Sequence, residues 1–481
     1  MKKYLSYRKI HILVPVIFAT VVWICGSAWA GYQQVPGLVD LRTTFSDGAY
    51  DLDTLTRMAR EKGFHLLFIN DHDRVAMEYG IPPLRNIFKK RVELNSIHKQ
   101  GSANYLRSIQ EIEKKYSDMI VIAGTESSPF YYWSGDPFRK TLTAHDYEKR
   151  ILSIGMENPT DYDNIPVLHN DPPIWKIEPS SAGFILLTGA LILALLMIRW
   201  PGVFRWAGFS MLAAGILFMA NFRPAGYSPY DPYHGPQGIA PYQAYIDYVH
   251  SRGGMTFWNY PETRSGVRQL GPIRVSTLPY PDVLLESRDY TGFAALYGEE
   301  VKATEPGGLW DLSLIEYCKG IRGKPPWAIA TSDFHKEGES GSSLGDFQTV
   351  FLVQNNTRNE ILKAMRQGKM YACRGRYPRV PRLDDFSVFN DVATGVCGDE
   401  ILISGKPKIR ISISGDELAD KRAVVRLIRS GKIVKIIECT LPFNMEHEDS
   451  EDLRPGEMIY YRMDMKGEGA IVSNPIFVKL K

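Results

Sequence analysis

The sequence predicts an α/β fold, a barrel or layered sheet, interrupted by an apolar helical hairpin and followed by a small antiparallel β-sandwich. Three observations predict it. A strand–loop–helix–strand unit stands near the start. A long apolar block divides the middle. From about Pro381, short strands with turn signals such as Ser430-Gly431 replace the alternating elements. At 481 residues the chain exceeds one ordinary domain. Its net charge of +3, with 23% charged residues, lacks the basic excess that marks nucleic-acid binding, so no nucleic-acid partner is expected.

Residues 1–30 read as a signal peptide or N-terminal membrane anchor. Lys2, Lys3, Arg8 and Lys9 precede an apolar run, and Ala28-Trp29-Ala30 before Gly31 fits a cleavage site. After Asp47-Gly48, Asp51 or Asp53 caps a helix with Leu52, Leu55, Met58 and Ala59 on its apolar face, and Gly63 stops it. Residues 65–69 and 119–123 read as strands, and the charged stretch 82–117 as helical. The apolar block divides into 182–198 and 203–222 around Arg199-Trp200-Pro201-Gly202. Each half nears the roughly 17–25 residues of a membrane span, which predicts a transmembrane hairpin. Arg199 and Arg205 assign its turn to the cytoplasm. The remaining parts then lie on the extracytoplasmic, periplasmic side of a bacterial cytoplasmic membrane. Further on, 242–252 and 358–367 read as helices, and 255–259, 281–286, 328–331 and 347–353 as strands. The division is therefore 1–30 signal or anchor, 31–180 first α/β part, 181–222 hairpin, 223–378 second α/β part and 379–481 β-sandwich. No cysteine spacing suits a metal. Cys397–Cys439 is a candidate disulfide, with buried thiols the simpler reading.

Chemistry concentrates at predicted strand ends. Phe68-Ile69-Asn70-Asp71-His72-Asp73 and Ala330-Thr331-Ser332-Asp333-Phe334-His335 each follow an apolar run with Asp and His. Barrel enzymes hold metals and catalytic groups at such places. Asp47 and Glu126 stand similarly, and this donor mixture suits Zn, Mn or Fe. The aromatic run Phe130-Tyr131-Tyr132-Trp133, close behind Glu126, is a candidate pocket wall or simple packing. Asp71 suits a supporting role, orienting a ligand by hydrogen bond.

The order Ser46-Asp47-Gly48, Asn70-Asp71-His72-Asp73, Gly124-Thr125-Glu126, Gly253-Gly254 with Pro261, and Ser332-Asp333-Phe334-His335 resembles the motif series of the PHP (polymerase and histidinol phosphatase) family over residues 38–375. The resemblance implies a distorted (β/α)7 barrel and a cluster of two or three metals that hydrolyses phosphate esters. It implies metal ligands at Asp40, Asp47, His72, Glu126, Asp333 and His335. Three positions depart from it. Arg42 stands where the opening histidine pair would end, and guanidinium has no lone pair to give. Arg150, or the less well aligned His145, takes the place of another histidine, and Tyr260 that of a third. The resemblance thus implies a centre with fewer divalent ions, complete only at Asp47, His72 and His335. Arg42, Arg150 and Tyr260 become candidate substrate- or anion-binding residues. Two main readings stay open, beside a purely structural remnant with salt-bridged arginines and no ligand, and neither assigns a catalytic residue. One is a membrane-anchored phosphoesterase with a reduced metal centre, acting on a phosphorylated or other anionic small molecule. The other is a degenerate domain that binds or senses an anion without catalysis. The last domain carries no chemical constellation.

Overall fold

The structure, a computed structural model, describes residues 31–168, 182–221, 229–339, 342–415, 417–451 and 454–481. The predicted signal or anchor at 1–30 lies outside the described residues. The centre is one curled sheet, a half-barrel. Its strands are β1 (Gln33–Leu41), β2 (Leu66–Ile69), β3 (Ile120–Ser127), β4 (Arg150–Ile154), β5 (Met255–Asn259), β6 (Gly292–Leu296), β7 (Trp327–Ala330), β8 (Phe347–Val353) and β9 (Met370–Arg374). They lie in the order β7-β6-β5-β4-β3-β2-β1-β8-β9. β2, β6 and β7 are buried along their whole length, as strands covered on both faces must be, which explains their unbroken apolar runs.

The distorted (β/α)7 barrel implied above is not what forms; the sheet is a curled half-barrel of mixed direction. β4 runs antiparallel to both β3 and β5, and β8 runs antiparallel to β1. The sheet is stitched back on itself at one rim. There the segment after β7 bonds to the end of β1, through Ser332 N–H to Val39 O at 3.0 Å and Arg42 N–H to Phe334 O at 2.9 Å. That rim carries the site.

The predicted transmembrane hairpin is corrected as well. Two antiparallel helices do form, Ala182–Ile198 and Val203–Asn221, meeting closely where Gly208 and Gly215 leave no room for a Cβ. Among the described residues, however, no helix is long and apolar enough to cross a membrane. The first has 17 residues. At ~1.5 Å per residue it falls short of the ~30 Å hydrocarbon core. The second carries Arg205 in its first turns.

Two other elements differ from expectation. Within 82–117 only Ile97–Gln100 and Ser102–Lys115 are helical, and Ala76–Gly80 pairs with Lys89–Glu93 as a hairpin. Pro82-Pro83 forbids a helix there. Residues 281–286 contain one helical turn, Val283–Glu286, and the strand comes later as β6. Gly292 opens β6 because a Cβ would lie 2.1 Å from the Trp327 carbonyl oxygen.

The C-terminal part is β-rich and continuous with the half-barrel. β9 pairs with Ala470–Ser473, which leads on to Met458–Gly467 and Arg422–Arg429. A second sheet of Thr394–Val396, Arg382–Phe389, Lys408–Ser414 and Phe443–Glu448 shares its apolar core. The four described cysteines are free thiols, so Cys397 and Cys439 do not pair.

One buried ion pair ties this part to the α/β part. Arg462, on Met458–Gly467, grips Asp311 of the helix Leu309–Cys318 through Nε–Oδ1 and Nη2–Oδ2 contacts of 2.6 Å. Tyr460 O–H donates to the same carboxylate at 2.8 Å. Removing one partner leaves the other charge buried and unpaired. Asp311→Ala should therefore lower unfolding free energy by about 3–5 kcal/mol in denaturant titration. The double variant Asp311→Leu with Arg462→Met should recover much of that loss.

Candidate functional site

Each candidate residue reaches the rim for a local reason. Asp40 and Arg42 end β1, His72 follows β2, Glu126 sits in β3, Asn259 ends β5, and Asp333 and His335 follow β7. Arg150 begins β4, and because that strand is reversed, its first residue lies at the rim where its neighbours finish. The loop bearing Asp47 folds tightly onto β1. A Cβ on Gly48 would lie 2.4 Å from the Arg42 carbonyl, which is why glycine follows Asp47. Asp71 fixes the same loop by accepting from Thr43 N–H at 2.8 Å, Thr43 Oγ1–H at 2.6 Å and Ser46 Oγ–H at 2.6 Å.

The site has two compartments. In the inner one, Arg42 is sealed from solvent and faces three carboxylates. Its Nη1 lies 2.9 Å from Asp40 Oδ1, and its Nη2 lies 2.8 Å from Glu126 Oε2 and 3.5 Å from Asp333 Oδ1. Tyr260 O–H donates to Asp40. Asn259 Nδ2 bridges Asp40 Oδ2 at 2.9 Å and Glu126 Oε1 at 2.6 Å. Burial, reinforced by Glu126 and Asp333, outweighs Arg42 and pushes the Asp40 carboxyl up to about 6. Burial would raise Glu126 too, but Arg150, Arg42 and His72 together hold it down at about 2. Asp40, Tyr260 and Asp333 all adopt left-handed backbone, with φ of 71°, 48° and 46°.

The outer compartment brings Asp47, His72 and His335 together. The Nε2 atoms of both histidines lie 3.2 Å from the same oxygen, Asp47 Oδ2. Their other nitrogens are engaged elsewhere. His335 Nδ1 lies 2.8 Å from the Asp333 carbonyl, a pure acceptor, so Nδ1 carries the proton and Nε2 faces Asp47. His72 Nδ1 lies 3.3 Å from Glu126 Oε2, between the second carboxylate and Asp47. Arg150 ion-pairs with Glu126, and its Nη1 comes within 3.4 Å of His72 Nε2. Burial, then Arg150 and Arg42, push the His72 imidazole below its ordinary value despite the Asp47 contact. A neutral His72 has one N–H for two carboxylates. The spare lone pair then faces a carboxylate, an arrangement that a proton or a cation completes.

Among the described residues, no group of three or more His, Cys, Asp or Glu side chains is placed so as to hold a metal ion. The trio is drawn in as a hydrogen-bonded cluster. Asp47 Oδ2 lies 3.2 Å from each Nε2, a separation common to hydrogen-bonded partners and to two ligands held ~2.0–2.1 Å from one ion. His335 carries the second hydrogen bond that orients a ligating histidine, from Nδ1 to the Asp333 carbonyl, and His72 Nδ1 has a 3.3 Å contact with Glu126 in the corresponding place. Asp40, Glu126 and Asp333 are instead committed to Arg42.

A cavity of about 610 Å3 opens onto this compartment, with Asp47, His72 and Arg150 in its lining and Tyr131 and Tyr147 in its wall. Arg42 and Tyr260 do not line it. His145 lies elsewhere, 2.7 Å from Ser134 Oγ and stacked on Tyr132. Sequence reasoning missed Asn259 as the bridge between two carboxylates. Its place beside Tyr260 was the available signal. It also missed Arg74, Lys99, Tyr147 and Arg268, which reach the cavity from segments without a motif.

No family model matches the chain, and no curated protein matches it. Two solved structures resemble it at low similarity. One, from Bacteroides vulgatus, is described as a two-domain protein containing a predicted PHP-like metal-dependent phosphoesterase. It has 10% identity and a TM-score of 0.37 over 98% of this chain and 99% of that one. The other, from Bifidobacterium adolescentis, is described as a metal-dependent phosphoesterase by assignment only. It has 15% identity and a TM-score of 0.31 over 68% of this chain and 96% of that one. At these values neither likeness decides fold or chemistry.

Replacing Arg42 with Met leaves Asp40 and Glu126 facing each other out of water, with the more exposed Asp333 beside them. Unfolding free energy should fall by about 3–5 kcal/mol at neutral pH, and the deficit should shrink as pH falls and the carboxylates take up protons. Chemical denaturation at several pH values measures both.

Burial lowers His335, but Asp47 and Asp333 more than compensate and raise it to about 9. Its stabilising contribution is fully present below its unfolded value of about 6.5 and is lost as pH rises through about 9. The matching contribution of Asp47, held far below the usual range by His335 and His72 despite partial burial, is lost as pH falls below about 3.9. In metal-free protein, NMR titration should find His335 charged well above pH 7. Asp47→Asn should return it towards about 6.5.

Proposed function

We propose that the chain is a PHP-like phosphoesterase with a reduced, one-ion metal centre, hydrolysing a phosphate ester of a small molecule. What supports this reading is the convergence of two imidazole Nε2 atoms on one Asp47 oxygen, at a cavity where Arg150 is also present. Asp47, His72 and His335 would hold the ion, and two nitrogens with one carboxylate suit Zn, Mn or Fe. When bound, such an ion polarises the phosphoryl group and activates water at neutral pH. Arg150 meets the anion. Its guanidinium is partly exposed to the cavity, is anchored by Glu126, and offers the planar fork that phosphate oxygens take. Glu126 orients both His72 and Arg150 without entering the cavity lining. Asp71 sets the loop that presents Asp47.

The second reading is a non-catalytic anion-binding or sensing module. One specific observation favours it. Arg42 already engages the sealed Asp40 and Glu126 at 2.9 and 2.8 Å, so those two carboxylates are taken, with Asp333 beside it at 3.5 Å.

Metal analysis of the purified full chain, with a phosphoester turnover screen, separates the two. About one ion per chain and measurable turnover are expected. His72→Ala should cost at least roughly 10–100-fold in metal affinity, with activity falling in step. Substoichiometric metal, no turnover, and phosphate binding that depends on Arg150 would establish the non-catalytic module instead.

A further inference from the structure

The cavity is far larger than a phosphate group needs. At about 610 Å3 it lies within the range of sites that enclose a whole small molecule, so most of it serves the rest of the ligand. Its wall is apolar in a particular way. Tyr131 spends its hydroxyl on the Glu78 backbone, accepting from N–H at 2.9 Å and donating to the carbonyl at 3.3 Å, and is left presenting its ring. Tyr147 meets that ring edge-on, at 5.6 Å between centroids. Leu168 and Val275 continue the wall. Leu94, just after the strand Lys89–Glu93, and Leu270, at the end of Gly266–Leu270 in a hairpin with Ile273–Thr277, also line the cavity and remain 58% and 57% exposed. Large apolar side chains left in water around a concavity mark a binding surface.

Several of the polar groups along this wall are already committed to the protein, while Asn95, Lys99 and Ser128 also line it. Arg74 Nε donates to Glu93 at 3.1 Å, Arg268 pairs with Glu148, and Gln269 donates to the Gly271 carbonyl at 2.7 Å. Beside the Asp47–His72–Arg150 group the cavity thus offers an apolar face built from the Tyr131 and Tyr147 rings with Leu94, Leu168, Leu270 and Val275.

From this division we propose that the substrate is a phosphate monoester of a bulky apolar alcohol, aryl or alkyl, rather than a sugar phosphate or a nucleotide. The proposal rests on the phosphoesterase reading above. In the reaction, a water oxygen joins phosphorus and the bond from phosphorus to the ester oxygen breaks. The alcohol leaves with a proton that the water supplies. The apolar face contributes affinity by taking the apolar group out of water, at roughly 25 cal/mol per Å2 buried.

Non-hydrolysable phosphonates test this on the full chain with Mn2+ present. Calorimetry would compare inorganic phosphate, methylphosphonate, phenylphosphonate and the similarly sized polar 3,4-dihydroxybutylphosphonate. Phenylphosphonate should bind at least about tenfold more tightly than methylphosphonate, and the dihydroxybutyl compound no more tightly than methylphosphonate. Leu94→Glu and Leu270→Glu, at exposed positions, should each erase most of the phenyl gain, whereas Leu94→Met should keep it. Arg150→Met should weaken all four probes together. If methylphosphonate binds but the dihydroxybutyl compound equals or surpasses the phenyl one, the apolar assignment is overturned and the phosphoesterase reading survives. If neither inorganic phosphate nor methylphosphonate binds, both are overturned.

Discussion

The guanidinium of Arg42 is the charge on which the rim depends. Asp40 and Glu126 are sealed from solvent, and Asp333 adds a third negative group on the same cation. Carboxylates brought this close without water neutralise by protonation or are matched by a positive charge. Arg42 does the second, with its main chain as well as its side chain in position: its N–H bonds to the Phe334 carbonyl and so helps stitch β1 to the segment after β7. One residue thereby joins the closure of the sheet to the electrostatics of the site. A divalent ion in the same place would be exchangeable and would need deprotonated ligands. A guanidinium on β1 is permanent and keeps its charge at any ordinary pH.

The second arginine has a different office because β4 is reversed. Arg150 shares Glu126 with Arg42, but it approaches from the cavity side and remains partly exposed. Glu126 is therefore a partition, with a sealed cation behind it and an accessible one in front. His72 leans on the same carboxylate through Nδ1, so any rearrangement of Arg150 on binding an anion is felt by an imidazole facing Asp47. On the proposed function, metal ligation and anion recognition would be coupled through one buried acid, Glu126.

How much of this was legible in the sequence follows from what each residue depends on. Asp47, His72 and His335 stand out because each sits beside an apolar strand or in a glycine-bounded turn, signals carried by near neighbours. The oddity of Arg42 needs only the chemistry of guanidinium. Its burial among Asp40, Glu126 and Asp333 needs the sheet to bring residues 40, 126 and 333 together, which no local pattern encodes. The rim position of Arg150 depends on the direction of β4, and Ile151–Ile154 reads alike in either direction. Asn259 looked like a strand end and proved to bridge two acids. The fold failed to read where pattern alone was trusted. Charge periodicity over 82–117 concealed a hairpin that Pro82-Pro83 imposes. Apolarity over the 182–221 region suggested a membrane span that its helix lengths do not support. Gly292-Phe293-Ala294-Ala295-Leu296 concealed a central strand because its small residues answer to the neighbouring β7 backbone rather than to strand propensity.

The backbone around Arg42 adds a final constraint. Asp40, Tyr260 and Asp333 hold left-handed φ values that side chains with a Cβ adopt reluctantly, at a cost of order 1–3 kcal/mol each. All three lie just where a strand gives way to the rim, and all three contact the inner cluster. Tyr260 and Asp333 reach it only because the chain turns left-handed there: one donates its hydroxyl to Asp40, the other sets a carboxylate 3.5 Å from Arg42. Glycine would relieve the strain at each position but would remove the group that the turn presents. Such strain persists only where the surroundings over-determine it, and here the surroundings are the ion pairs of Arg42 and the hydrogen bonds of Asn259. The inner compartment is thus a built, mutually dependent structure. Its arginine is a resident cation that holds the rim in shape for the open compartment of Asp47, His72, His335 and Arg150.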